Sequence, residues 1–208
     1  MPDSGEIVAM IRGLGEADRA NRERAAAEIF ARGCELARAA SQGWLDDPDL
    51  RALLIRGEAG SLEVTVGIAV EPSRFERIRA ACGSPRLASV PPDQDAMEFE
   101  IEFPGGVKLD VLRPRQPDGD GAIARFLKKF GEAIQQVEIP VLDVGRATEI
   151  LRDRFAVTPI YPSPRPGADG ARVNFFLATA GSGKKVLIEL VEAHADTNRS
   201  ETIPRSAR

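Results

Sequence analysis

Between residues 5 and 41 apolar side chains recur at helical spacing: Ile7, Met10, Ile11 and Leu14, then Ile29, Phe30, Gly33, Leu36 and Ala37. That spacing predicts two amphipathic helices with Arg and Glu on their outer faces. Gly13 and Gly15 mark the break between them. The stretch "WLDDPDLRALLIRG" adds a short helix, with Asp47 as N-cap and Pro48 at its first position. From Ser61 the period shortens, and strands begin to alternate with helices.

The second part of the chain repeats itself. "TVGIAV" (65–70) precedes the amphipathic "PSRFERIRAACG", and "QVEIPV" (136–141) precedes "DVGRATEILRDRF". Each unit then supplies two alternating strands. These lie in "MEFEIEFPGGVKLDVLRP" and "RVNFFLATAGSGKKVLIELVE", joined by the turn sequences "PGG" and "AGSGK". A weaker strand is expected after each helix, near Leu87 and near Ile160. The fold class is therefore α+β. Two paired β-α-β-β-β modules form a curved, barrel-like sheet with a cleft, and the N-terminal helices pack outside it. The expected divisions are an N-terminal helical extension at 1–60, a two-module domain at 61–192 (modules 61–114 and 133–192) and a polar, disordered tail at 193–208.

The repeat keeps register. Thr65 and Gln136 open the two first strands, and Asp110 and Glu189 stand at matching points of the two last ones. Closing the modules into one curved sheet brings these four side chains together. Burying Asp110 and Glu189 costs several kcal/mol, roughly, unless a cation or hydrogen-bond donors compensate.

Composition narrows the chemistry. At 208 residues and 43% hydrophobic, the chain can build its core without disulfides. Cys34 and Cys82 lack CxxC partners and read as reduced, packed thiols. A net charge of −4, with both signs interspersed, argues against nucleic acid as a partner. No apolar run is long enough for a bilayer and no signal peptide is evident, which predicts a soluble, cytoplasmic protein. The one histidine, His194, falls in the polar tail, so no two-histidine metal site exists within one chain.

The stretches "VGIAV", "KLDVLRP", "GAIARFLKKFGEAIQQVEIPV", "RPGADGARVNFFL" and "VLIELVE" occur here in one order over residues 61 to 192. In these the chain resembles the vicinal oxygen chelate superfamily, the glyoxalase and bleomycin-resistance group, and most of all its methylmalonyl-CoA epimerase branch. The resemblance implies a cleft whose divalent metal chelates substrate oxygens and stabilises an enolate. It maps the metal positions onto Thr65, Asp110, Gln136 and Glu189, with histidine expected at the first and third. It also puts a histidine where Asp169 stands in "GADG". Imidazole suits zinc, cobalt or nickel, and amide or hydroxyl oxygens bind them weakly. The expectation is no tightly bound zinc or cobalt. A weakly bound magnesium, manganese or calcium ion would use Asp110, Gln136 and Glu189. The competing arrangement is a metal-free polar core in which Gln136 hydrogen-bonds one of the acids.

The same resemblance puts the catalytic carboxylate near "PPDQDAMEF", with Asp93 the nearest match and Asp95 the next. The catalytic candidates are thus Glu189 and Asp93. Thr65, Asp110, Gln136 and Arg165 are the candidates for binding the ligand. "ATAGSGKK" lacks the spacing of a phosphate loop and reads as a hairpin. Two functions follow. One is an epimerase, isomerase or lyase acting on an acyl-CoA or a small oxo or hydroxy acid through carboxylates. The other is a non-catalytic protein that sequesters a ligand or serves as an interaction scaffold. The expected assembly is a homodimer, with the Ile29–Phe30–Leu36 stripe offering apolar surface.

Overall fold

The computed structural model describes residues 4–57, 60–179 and 185–192. The turn at "AGSGK", His194 and the tail at 193–208 lie outside the described residues. Helix α1 (Ser4–Gly13) stops at the predicted glycine, and α2 (Arg19–Ala40) restarts where the Asp18 side chain accepts from the Asn21 N–H. Asp47 caps α3 (Pro48–Leu53) as expected, accepting from the N–H groups of Asp49 and Leu50.

The repeat then folds as β1 (Thr65–Ala69), α4 (Pro72–Ala81), β2 (Ala96–Phe103) and β3 (Val107–Pro114). After α5 (Ala122–Phe130) come β4 (Ala133–Val141), α6 (Val144–Phe155), β5 (Arg165–Pro166), β6 (Arg172–Thr179) and β7 (Lys185–Glu192). All seven strands join one curled sheet in the order β2-β3-β1-β4-β7-β6-β5. Each module pairs its first and last strands in parallel, β1 with β3 and β4 with β7. The two modules meet antiparallel along β1 and β4.

The weaker strands form only in part. Near Leu87 no strand develops, and the Ala88 N–H makes one bond to the Glu98 carbonyl. In the second module Pro159 bridges Phe176, and the two-residue β5 follows. Proline-rich connections explain this, because proline has no N–H for a ladder. Prolines 85, 91 and 92 interrupt the first segment, and prolines 162, 164 and 166 the second.

Alternation sorts the strands into two faces. Val66, Ile68, Leu109, Val111, Val137, Ile139, Ile188 and Leu190 point into the main core beneath the helices. Their sequence neighbours point into the concave side. Helix α2 lies close on the apolar face because its inner stripe is small: Ala25, Ala26, Gly33 and Ala37 accompany Ile29. A Cβ at Gly33 would sit 2.2 Å from a Val66 methyl, so only glycine lets the helix backbone reach β1. Of the stripe expected to offer apolar surface, Ile29 is buried within its own chain, while Phe30 and Leu36 are half-buried. On the opposite side α5 closes one end of the concavity through Ile123 and Leu127 against Ala69 and Leu112.

Candidate functional site

The concave face carries the polar residues. Gly67 of β1 pairs with Asp110 on one side and with Gln136 on the other. Glu138, two residues beyond Gln136, pairs with Glu189 of β7. On β2, Glu100 pairs with Asp110 and Glu98 with Leu112. Asp110, Gln136 and Glu189 are thus brought together and buried, as the repeat predicted. Thr65 shares their face beside Glu138 but does not line the cavity that the others share.

Gln136 organises the acids. Its Nε2 donates to Glu189 Oε2 at 2.5 Å and to Glu138 Oε1 at 3.2 Å. One amide thus bridges two carboxyl groups that would otherwise repel. Close packing sets its place. A Cβ on Gly67 would lie 2.5 Å from Gln136 Cγ, so the missing side chain on β1 makes room for the long one on β4.

Electrostatics in this cluster run against ionisation. Burial pushes the Asp110 and Glu189 carboxyls well above the usual range, and the neighbouring glutamates push them further. Burial raises Glu138 to about 8, although its bond from Gln136 opposes the shift. Glu98 is raised to about 7, first by burial and then by Asp169. Two cations on neighbouring segments are engaged with other acids: Lys108 Nζ bonds Glu63 at 2.6 Å, and Arg86 grips Asp169.

Two lobes open from this face, each of about 400 Å³. The first is walled by Glu98, Glu100, Asp110, Glu138 and Glu189. The second runs from Glu98, Gln136 and Glu189 past Leu112, Ile160, Tyr161 and Phe175 to Asp93 and Arg165. Asp93 sits at the rim with its carboxylate paired to Arg165, and its side chain is 65% exposed. The Arg165 guanidinium also stacks 4.6 Å from the Tyr161 ring centre. A larger cavity of about 690 Å³ lies between α2 and the β2–β3 turn, away from every predicted site residue.

Asp169 holds a structural post. Its carboxylate takes two bonds from Arg86 and one from the Ser89 N–H, which ties the 85–89 segment to the second module. Glu98 and Glu138 are the cluster members that sequence reasoning missed. Both had a signal. "MEFEIEF" sets its glutamates on one face, and Glu138 holds the place in "QVEI" that Gly67 holds in "TVGI".

No family model and no curated protein matches the sequence. Solved structures do. A methylmalonyl-CoA epimerase from Mycobacterium tuberculosis is 30% identical, with a TM-score of 0.53 over 69% of this chain and 95% of that one. A Streptomyces coelicolor methylmalonyl-CoA epimerase in complex with 2-nitronate-propionyl-CoA is 26% identical, with a TM-score of 0.53 over 68% of this chain and 99% of its own. A third methylmalonyl-CoA epimerase, in complex with methylmalonyl-CoA and ammonium, is 29% identical, with a TM-score of 0.51 over 65% and 97%. The chain belongs to the vicinal oxygen chelate superfamily, in its methylmalonyl-CoA epimerase-like branch. Among the described residues no helix is long and apolar enough to cross a membrane.

A divalent ion of the kind the resemblance implies would have to be held by Thr65, Asp110, Gln136 and Glu189. Imidazole is absent from all four positions, Thr65 stands off the lobes, and the Gln136 amide turns its N–H toward the acids. Among the described residues no three His, Cys, Asp or Glu side chains are placed to hold a metal ion. The arrangement does not fit an ion that prefers nitrogen ligands.

Proposed function

We propose that the cleft binds a small carbonyl compound, an acyl-CoA or an oxo or hydroxy acid, and moves a proton beside its carbonyl in the manner of an epimerase or isomerase. The observation that carries this reading is the cluster of buried Asp110 and Glu189 with half-buried Glu138 and Glu98, in which Gln136 bridges Glu138 and Glu189. Removing a proton next to a carbonyl builds negative charge on the carbonyl oxygen. A buried, neutral carboxyl can donate a hydrogen bond to that oxygen, and its raised pKa keeps it protonated near neutral pH. Glu189 takes this role, since burial and two acidic neighbours hold its proton. Glu98, raised to about 7 and lining both lobes, takes the role of proton-accepting base. Asp93, the base expected from the resemblance, is held at the rim by Arg165 and serves the mouth of the cleft.

The test is deuterium exchange into propionyl-CoA and 2-oxobutyrate in D2O, followed by NMR in the presence of a chelator. Exchange at the carbon beside the carbonyl is expected, and Glu98→Gln and Glu189→Gln should each abolish it. Wild-type protein that binds either compound without exchange would support the second reading, sequestration, which the uncompensated acid cluster also allows. A homodimer belongs to the same proposal, on the superfamily's habit of pairing chains. Sedimentation equilibrium showing only monomer at high micromolar concentration would remove it.

A further inference from the structure

The second lobe has two unlike ends. Glu98, Gln136 and Glu189 stand at one, and Asp93, Asp120, Arg125 and Arg165 at the other, with apolar side chains between. Arg165 is firmly held. It begins β5 and pairs with Val173 of β6, so both side chains face the cleft. Its guanidinium lies 4.6 Å from the Tyr161 ring centre, and its side chain is only 20% exposed. Gln94 Nε2 donates to the Pro166 carbonyl at 3.0 Å, which brings the Pro92–Gln94 turn, and Asp93 with it, against β5. Asp93 accepts from Arg165 Nη2, while Nε is buried without a hydrogen-bond partner. An unmet donor calls for an acceptor. Nε and Nη2 together make the side-on fork by which arginine grips both oxygens of a carboxylate. The fork is thus half filled. Its occupant is 65% exposed and can leave for water at little cost.

We propose that Arg165 anchors the substrate by a carboxylate that displaces Asp93 and fills the fork, and that this substrate is an oxo acid whose keto carbonyl lies a short methylene chain away, at Glu98 and Glu189. This rests on the cleft being the ligand site, and it narrows the substrate class. Arg165 pairs with Val173, and Glu189 with Phe175. Their Cα atoms therefore stand about 12 Å apart, on either side of β6 and two residues along it. Two ends so placed suit a carboxylate and a carbonyl that are separated, rather than adjacent as in a 2-oxo acid. Ile160, Phe175 and Leu187 face the methylenes between them. A lobe of about 400 Å³ encloses a small acid of this kind whole.

Isothermal titration calorimetry on the full chain at pH 7 tests this with three probes. Levulinate separates its carboxylate from its ketone by a short methylene chain. Methyl levulinate keeps that body without the charge, and 2-oxobutyrate sets the two groups side by side. Levulinate should bind tighter than its ester by a factor of about 10 or more, and tighter than 2-oxobutyrate. Arg165→Met should weaken levulinate far more than the ester. Arg165→Lys, which keeps the charge and loses the fork, should recover only part of the difference. Asp93→Asn should bind levulinate at least as tightly as the wild-type protein, since Asp93 competes for the fork. If acid and ester bind equally, if Arg165→Met weakens both alike, or if 2-oxobutyrate binds best, the anchored oxo acid is overturned and the cleft survives as a ligand site. If none of the three binds, the reading of the cleft falls and this proposal with it.

Discussion

The two modules share one topology yet contribute unequally to the cleft. The first places Thr65 and Gly67 where the second places Gln136 and Glu138, across the antiparallel seam of β1 and β4. Their last strands are alike, with Asp110 on β3 matched by Glu189 on β7. Symmetry is kept in the acids and broken in the residues between them. The first module gives space and the second fills it with an amide and a third carboxyl group. The lesson is that a repeated backbone supplies register, while a single absent side chain on one copy decides which functional groups the other can hold.

The largest effect should come from filling the space. Gly67→Val puts a branched side chain where Gln136 Cγ already lies 2.5 Å from an added Cβ and Leu112 3.3 Å. Overpacking of this kind costs about 1–3 kcal/mol and should displace Gln136 from Glu189. Denaturant unfolding measures the first. Loss of ligand binding in calorimetry measures the second, and unchanged binding would show that Gly67 does not set the site.

Next in size is the third carboxyl. An acid raised in the folded state keeps a proton there that the unfolded chain has lost, so the folded state binds more protons and loses stability as pH rises. For Glu138 this window runs from the ordinary 4.5 to about 8, and for Glu98 from 4.5 to about 7. The protein should therefore be more stable at mildly acid than at alkaline pH as far as these groups are concerned. Glu138→Gln keeps an oxygen for Gln136 and removes the charge. It should flatten the decline and gain roughly 1–3 kcal/mol at pH 9. Thermal melts of both proteins across pH 5–9 decide it, and parallel curves would count against a buried protonated Glu138.

The smallest effect belongs to the rim. Asp93→Asn breaks an exposed ion pair with Arg165, a change worth about 0–1 kcal/mol. Deuterium exchange should fall less than about tenfold, against abolition by Glu98→Gln. An equal loss in both variants would restore Asp93 as the base.

Much of the molecule was legible in the chain itself. Period and capping gave the helices: Gly13 and Asp47 act locally, through hydrogen bonds and backbone freedom that neighbouring residues determine. Alternation and repeat gave the two modules and the convergence of Asp110, Gln136 and Glu189, because strand register propagates from turn to turn. Tertiary structure alone decided the rest. Glu98 and Glu138 sit in strands that the sequence leaves free to face solvent, and only closure of the sheet brings them, half-buried, beside Asp110 and Glu189. Asp93 was placed by a motif, yet Arg165, which holds it, lies 72 residues away. Whether an acid is neutral or charged depends on how many others share its cavity, and that number is set by contacts between strands distant in sequence.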